Sequence, residues 1–329
     1  MILGMSCRRG RMRRRCAAAV FLALCIFAAA AGSAAATDDG ASARGGIAKV
    51  GVGRDAGDHS AAEHMAKIRI DKNVLSAEND MTVTDAEHRV FIGDEPLACS
   101  FAEIVGEAYV FADFFGCLTG GAVIDEDESG ARVAAEGFVL DAVCGDEYIT
   151  VNGRCLWCEG GVASLGGRCA VPLSAAAGAL SMSVRREGDC YYCVGDPSPI
   201  TSGDEFYDDD DLLWLSRIIS CESESEELLG KIAVGNVVLN RVESPDFPGD
   251  VEGVVFDDRY GIVQFSPVAG GYIYRVPDDE SVVAAKLCLE GVTVSDEIMY
   301  FMNPALSSTT WISDNRPYVM TIGRHSFYS

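Results

Sequence analysis

The sequence predicts an α+β protein in which a mainly β region with short helices precedes a helix-containing C-terminal domain. Three observations carry this reading: short β-favouring runs set off by Gly-rich turns through the middle of the chain, apolar residues at helical spacing from Leu212 onward, and two polar low-complexity stretches, one before the β region and one after it. At 329 residues the chain is too long for one ordinary core and suits two modest domains with flexible ends.

Residues 1–36 read as a signal peptide. They hold six arginines and no carboxylate, then an apolar run from Cys16 to Gly32 and a small-residue exit at Ala34, Ala35 and Ala36 before Thr37. The run is shorter than the roughly 20 apolar residues that span a bilayer, so membrane contact is expected only transiently, during export. The expected location is secreted or cell-wall associated, on the outer side of the membrane. Without this segment 20 basic and 50 acidic side chains remain, a net charge near −30. Such a balance excludes nucleic acid as a partner, because phosphate-backbone affinity comes from clustered Lys and Arg. It also leaves hydrogen bonds and aromatic faces, rather than charge, to recognise an anionic wall polymer.

Ten of the thirteen cysteines lie beyond residue 36, and eight of those fall between Cys99 and Cys193. In an exported chain this density favours disulfides. Cys155 with Cys158 and Cys190 with Cys193 have the two-residue spacing of zinc ribbons, but no His accompanies them, and neither a metal nor a cofactor is expected.

Residues 37–67, rich in Gly, Ala, Asp and Ser, read as a disordered leader, and residues 195–211, with two prolines and Asp208 to Asp211, as an acidic linker. Between them, residues 68–194 carry the β runs Arg89 to Ile92, Val139 to Val143 and Tyr148 to Val151. The last meets Asn152-Gly153, the strongest two-residue hairpin signal. Gly166-Gly167 then leads into Val171-Pro172-Leu173 and an alanine-rich helix. A looser copy lies about sixty residues earlier: Gly93 parallels Gly153, Cys99 parallels Cys158, and Gly106 to Val110 parallels Gly166 to Val171, with Phe111 where the second copy has Pro172. This pattern resembles the copper amine oxidase N-terminal-like stalk domain. The resemblance implies a spacer or wall-binding module, and no copper.

The C-terminal domain, 212–329, opens on a helix with Leu212, Leu215, Ile218 and Ile219 on one face and Asp210 or Asp211 as cap. A second helix is expected from about Leu228 to Val242, and a third from about Ser281 to Leu289, introduced by Asp278 to Glu280 and closed by Gly291. Where the first ends, four glutamates crowd together. Glu222 follows the apolar face directly, and a carboxyl at the rim of an apolar core stays protonated more readily, as a general acid must. Glu226 shares its face if the helix persists, although charge repulsion weakens such a run.

Across its length this domain resembles the SleB-type cell wall hydrolase family. The matching stretches are Asp211 to Leu215, Glu222 with Glu226, Gly230 to Val242, Ser244-Pro245, Phe247-Pro248, Gln264 to Val268, Ala284 to Lys286, Asn303-Pro304, Trp311 and Ile322 to Phe327. Cys221 and Ser225 stand where the family commonly has Ala and Gly. The resemblance implies a lysozyme-like α+β domain acting on peptidoglycan as a monomer. Glu222 is the acid in that reading, with Glu226, Gln264, Tyr300 and Trp311 as substrate-binding candidates and Tyr260 as a further sugar platform. A lytic transglycosylase with a single catalytic Glu is the first expectation. A muramidase, in which Glu226 or another carboxylate activates water, an N-acetylmuramoyl-L-alanine amidase, and a non-catalytic wall-binding protein are the alternatives. Asn236, Asn240 and Arg241 are expected as buried hydrogen-bonding groups, and His325, the domain's lone histidine, as structural.

Overall fold

The computed structural model describes residues 84–85, 89–104, 106–120, 122–259, 261, 263–307 and 309–329. The signal segment, the leader, residues 68–83 and Tyr260 lie outside the described residues. No helix among those described is long and apolar enough to cross a membrane.

The middle region is built from strands, as expected. In chain order come β1 (Thr84–Asp85), β2 (Val90–Ile92), β3 (Glu95–Pro96), β4 (Ser100–Ile104) and β5 (Glu107–Phe111), then helix α1 (Ala112–Thr119). Next are β6 (Val123–Glu126), β7 (Gly130–Ala135), β8 (Phe138–Val143), β9 (Tyr148–Val151), β10 (Arg154–Trp157), β11 (Ala163–Leu165) and β12 (Arg168–Pro172). Helix α2 (Leu173–Gly178), β13 (Ser183–Glu187) and β14 (Cys190–Val194) complete it. Three sheets result, ordered β1-β4-β5-β12-β11, β10-β9-β8-β7-β6 and β13-β14-β2-β3. Their inner faces enclose one core around Phe101, Phe114, Phe115, Phe138, Leu140 and Ile149, and β8 shows the alternation directly, with Phe138, Leu140 and Ala142 buried. The internal repeat has a physical outcome: the last strands of its two copies, β5 and β12, pair with each other, Phe111 opposite Ala170 and Tyr109 opposite Pro172.

Asn152 and Gly153 form the expected hairpin. Both have positive φ, 50° and 82°, the signature of a type I′ turn, and Val151 pairs with Arg154 across it. The Asn152 carboxamide accepts from Val139 N and donates to Gly137 O and Ile200 O, so the turn is fixed on three sides.

Residues 195–211 are largely exposed, as composition predicts, but they are anchored and partly helical. Backbone bonds from Ser198 to Leu180, Ile200 to Ala179 and Gly203 to Asn152 seat them on the middle region, and a short helix, α3 (Gly203–Phe206), follows. The aspartate run then begins α4 (Asp209–Ser223). Asp208, rather than Asp210 or Asp211, is the N-cap: it accepts from both of their backbone N–H groups, while the other three aspartates fill the first turn, where the helix dipole favours negative charge.

The C-terminal domain continues with α5 (Leu228–Glu243), α6 (Val251–Val255), α7 (Ser266–Ala269), a 3-10 turn at Tyr272–Tyr274 and α8 (Asp279–Leu289). Then come β15 (Tyr300–Met302), α9 (Trp311–Asn315), β16 (Tyr318–Ile322) and β17 (His325–Tyr328), the strands forming an antiparallel sheet ordered β15-β17-β16. Leu215, Ile218 and Ile219 of α4 meet Ile232, Val234, Val237 and Val238 of α5 and Ala284, Ala285 and Leu287 of α8 in a second core. Contact is close at Gly235, where an added Cβ would come within 2.6 Å of Cys288 Sγ and 2.9 Å of Ile219. Asn236 and Asn240, one turn apart on α5, bind the chain that enters β15: Asn236 bonds Val292 O and Val294 N, and Asn240 bonds Ser295 O and Ile298 O.

Contrary to the disulfides expected, no disulfide bond joins the described cysteines. The four with ribbon spacing do not gather either. Cys155 on β10 belongs to the C-terminal core, whereas Cys158 and Cys193 belong to the middle core, because alternation along a strand and its exit sends Cys155 and Cys158 to opposite sides.

Tyr148, Cys155 and Trp157 thus carry the hairpin into the C-terminal core, and a buried ion pair seals the contact. Arg154 donates to both oxygens of Glu290, Nε to Oε1 at 2.8 Å and Nη2 to Oε2 at 2.6 Å, with only 13% and 8% of the two side chains exposed. Tyr207 Oη donates to Glu290 as well and accepts from Cys155 N, and Lys286 Nζ donates to Gly153 O. Removing one member of a buried, hydrogen-bonded pair strands the other charge. Arg154→Met is therefore expected to lower stability by about 3 kcal/mol, read as a fall in Cm or Tm, while the double variant Arg154→Met/Glu290→Met loses less than Arg154→Met alone.

Candidate active site

Glu222 sits on the buried stripe of α4. It lies three, four and seven residues beyond Ile219, Ile218 and Leu215, all fully buried, so its side chain leaves the helix on the face that packs against the core. The carboxyl is half-buried at the edge of that apolar surface. Loss of water around it pushes its pKa up to about 7, against the pull of the Arg241 guanidinium.

Arg241 comes from the equivalent stripe of α5, three, four and seven residues after the buried Val238, Val237 and Val234. It is only 3% exposed; Nε donates to Met299 O, and the guanidinium lies 5.0, 5.1 and 5.4 Å from the ring centres of Phe247, Phe265 and Tyr300. Three aromatic faces thus hold a buried cation whose field reaches Glu222. Its hydrogen-bonding role was expected; its electrostatic link to Glu222 was not, because nothing local to either helix reports the other's position. Asp257 feels the same guanidinium. Burial raises its pKa, but bonds from the Arg259 side chain and backbone outweigh that and hold the carboxyl below the usual carboxylate range.

Glu226 does not share a face with Glu222. Helix α4 stops at Ser223, whose hydroxyl bonds back to Ile219 O, and carboxylates near a helix C-terminus face the negative end of the dipole. The chain turns through Glu224 and Ser225 and delivers Glu226, 7% exposed, to the β16–β17 turn. There Glu226 Oε2 accepts from Arg324 N at 3.0 Å, and Oε1 lies 3.9 Å from His325 Nδ1. Gly323 takes φ +57°, and a Cβ on it would overlap Glu226 Oε2, 1.7 Å away. Burial lowers the His325 pKa despite the opposing pull of Glu226, which favours the neutral ring beside Phe301. Two departures from the family pattern have local partners here: Ser225 Oγ accepts from Arg324 Nη1, and Cys221 Sγ donates to Tyr272 O.

Of the other candidates, Gln264 is half-buried beside Phe265, and its backbone N–H donates to Asp257 O. Tyr300 borders Arg241. Trp311, at the start of α9, packs with Met302, Ile312 and Tyr328. Arg316, which composition did not single out, lies 4.3 Å from the ring centre of Tyr300 and 5.8 Å from that of Trp311. Arg241 and Arg316 therefore connect Glu222 through Tyr300 to Trp311.

Lys231 fixes the end of α4. It is 2% exposed, and Nζ bonds Glu280 Oε2 at 2.7 Å, Asp278 Oδ1 at 3.4 Å and Glu224 O at 3.4 Å. Asp278, the N-cap of α8, also accepts from Ser281 and from Ser220, two residues before Glu222.

Residues 225–328 match the family described as Cell Wall Hydrolase. The C-terminal domain is a cell wall hydrolase domain. The match begins just past Glu222. The spore cortex-lytic enzyme of Halalkalibacterium halodurans is 36% identical to the chain over 121 residues, 37% of this chain and 35% of that protein. The spore cortex-lytic enzyme of Bacillus subtilis is 33% identical over 121 residues, 37% of this chain and 38% of that protein. The chain thus spans little more than a third of the length of these relatives. Among solved structures, the catalytic domain of the germination-specific lytic transglycosylase SleB from Bacillus anthracis is 33% identical, with 40% of this chain and 100% of that chain covered and a TM-score of 0.34.

Two outcomes test how the hydrolase domain positions Glu222. The Asp278 pKa is depressed to about 2: burial raises it, but bonds from Ser281 and Ser220 and the Lys231 charge prevail. Its folded value lies below the unfolded 3.8, so its contribution is present above about pH 4 and is lost as pH falls toward 2. Asp278→Asn should remove stability at pH 7 and flatten the acid limb of a Tm-against-pH curve. Gly323→Ala should displace Glu226 and lower Tm more than Glu226→Gln does, since it adds both a clash and a strained φ.

Proposed function

We infer that the chain is an exported enzyme that cleaves the glycan strand of peptidoglycan, most directly as a lytic transglycosylase, with Glu222 as its acid. The observation that carries this reading is a half-buried carboxyl with pKa about 7 at the end of an apolar helix face, in a domain of the cell wall hydrolase family. Protonated Glu222 donates to the glycosidic oxygen as the bond to the muramic acid anomeric carbon breaks. The sugar's own 6-hydroxyl attacks that carbon, and its proton returns to the Glu222 carboxylate, leaving a 1,6-anhydro end and an unchanged enzyme.

A single acid serves this reaction, and the neighbouring carboxylates support it. Glu226 is committed to Arg324 N and Asp257 to Arg259, which leaves neither free to activate a water. The muramidase alternative needs such a second carboxylate. Arg241 keeps the Glu222 pKa from rising further and steadies the carboxylate that exists between the two proton transfers. Gln264, Tyr300 and Trp311 are the sugar-contacting candidates around this acid. A monomer outside the cell or on the wall, reached by way of the signal segment, completes the reading.

Glu222→Gln should abolish release of fragments from purified peptidoglycan, and wild-type digests analysed by mass spectrometry should carry anhydromuramic ends. Reducing ends would instead indicate a muramidase, and freed alanine amino termini an amidase; wild-type turnover in Glu222→Gln would overturn the assignment. For the intact enzyme, kcat/KM should fall as pH rises through about 7, where Glu222 loses its proton. The same ionisation costs stability. The folded pKa lies above the unfolded 4.5, so the penalty is absent below about pH 4.5, grows up to about 7 and then levels off. Glu222→Gln removes it, and calorimetry should find the inactive variant more stable than wild type at pH 8, by about 1–3 kcal/mol, with the difference vanishing near pH 4.5.

A further inference from the structure

We propose that Arg316 is a specificity residue that binds the carboxylate-bearing lactyl-peptide substituent of the muramic acid ring held next to Glu222. This rests on the glycan-cleaving reading above and names the part of the substrate that the site selects.

The chain has a formal net charge of −24, so carboxylates outnumber cations, and an arginine that meets none keeps its charge available to a ligand. Most of the described arginines that approach carboxylates pair with them, among them Arg89, Arg132, Arg154, Arg168, Arg185, Arg186 and Arg259. No ion pair or side-chain hydrogen bond to Arg316 occurs among the described residues, and its Nε is buried with no partner. Asp314 is the nearest carboxylate in sequence, but it accepts from Thr310 Oγ1 across its own helical turn. What Arg316 does touch is aromatic: its guanidinium lies over Tyr300 and beside Trp311. Stacking of this kind holds the planar group rigid while leaving the outer N–H edge open, which is the arrangement that receives a carboxylate bidentately.

Position supplies the second half of the argument. Tyr300 also borders Arg241, 5.4 Å from its ring centre, and Arg241 acts on the charge of Glu222. Arg241, whose charge acts on the acid, and Arg316 thus flank the same tyrosine. In the proposed reaction the broken bond ends at the anomeric carbon of muramic acid, and the lactyl group with its peptide leaves that same ring at the 3-position. The lactyl carboxyl is taken up in the amide bond to the peptide, so the anion is a carboxylate of the peptide itself, carried by the muramic acid ring beside the acid; a glucosamine ring in the same place brings none. Arg241 is buried and holds Met299 O, whereas Arg316, which borders the same tyrosine, is partly exposed. Charge repulsion between an acidic protein and an anionic polymer makes one localised cation worth more to register than to overall attraction.

The test compares two forms of one substrate, native peptidoglycan and peptidoglycan whose carboxylates have been converted to methylamides with carbodiimide. Wild type should prefer the native form in kcat/KM. Arg316→Met should lower that preference roughly tenfold, chiefly through KM, and Arg316→Lys, which keeps the charge and loses the fork, should restore part of it. Equal losses on both substrates would mean that Arg316 only supports Tyr300, and an unchanged preference would mean that it meets no anion; either overturns the proposal. Circular dichroism and Tm of both variants check that they fold. Sedimentation with insoluble wall reads the same preference without turnover, using Glu222→Gln and Glu222→Gln/Arg316→Met. Selective binding of native wall, lost in the double variant, would uphold the role of Arg316 even if wild type released no fragments and the catalytic reading failed.

Discussion

Helix α4 ends after Ser223, and the rest of the site follows from that stop. One more turn would carry Glu226 onto the face that Glu222 occupies, setting two carboxylates side by side over an apolar core, where neither could ionise freely. Termination separates them. Glu222 stays on the buried stripe with a raised proton affinity, and Glu226 goes to the β16–β17 turn, where a backbone N–H satisfies it. The acidic run that opposes helix continuation is thus also what assigns its members different tasks. Lys231 holds the junction from beneath, tying the end of α4 to the cap of α8 through Asp278 and Ser220.

Two cations of this region are both held by aromatic rings. Arg241 is enclosed by Phe247, Phe265 and Tyr300 and acts inward on Glu222, whereas Arg316 rests on Tyr300 and Trp311 with its outer edge free. Tyr300 serves both. An aromatic expected to lie under a sugar is also the common support of two guanidiniums.

What the sequence made legible was local. Asn152-Gly153 specified its turn, the apolar spacing of α4, α5 and α8 placed those helices within a few residues, and Gly166 to Leu173 leads through a strand into a helix, as its residue pattern predicts. The place of Glu222 at the edge of an apolar face was legible because the residues that bury it are on its own helix. What escaped were pairings between distant segments. Glu226 to Arg324 spans 98 residues and Arg154 to Glu290 spans 136, and no periodicity encodes either. Composition misled at Asp208 to Asp211, since like charges that usually mark a solvated connector also suit a helix N-terminus. Cysteine spacing misled for a related reason: Cys155 and Cys158 are neighbours in sequence but belong to different cores.

The turn at Asn152-Gly153 has a consequence of its own. Hairpin tips ordinarily drift in length among related proteins, because solvent is all they meet. This one is occupied on every side: Gly153 O receives Lys286, Asn152 O receives Gly203, and Arg154 just beyond is clasped by Glu290. Inserting a single residue there would unseat the C-terminal domain from its support, so this two-residue loop is held to its length and acts as the hinge pin that joins blade to handle.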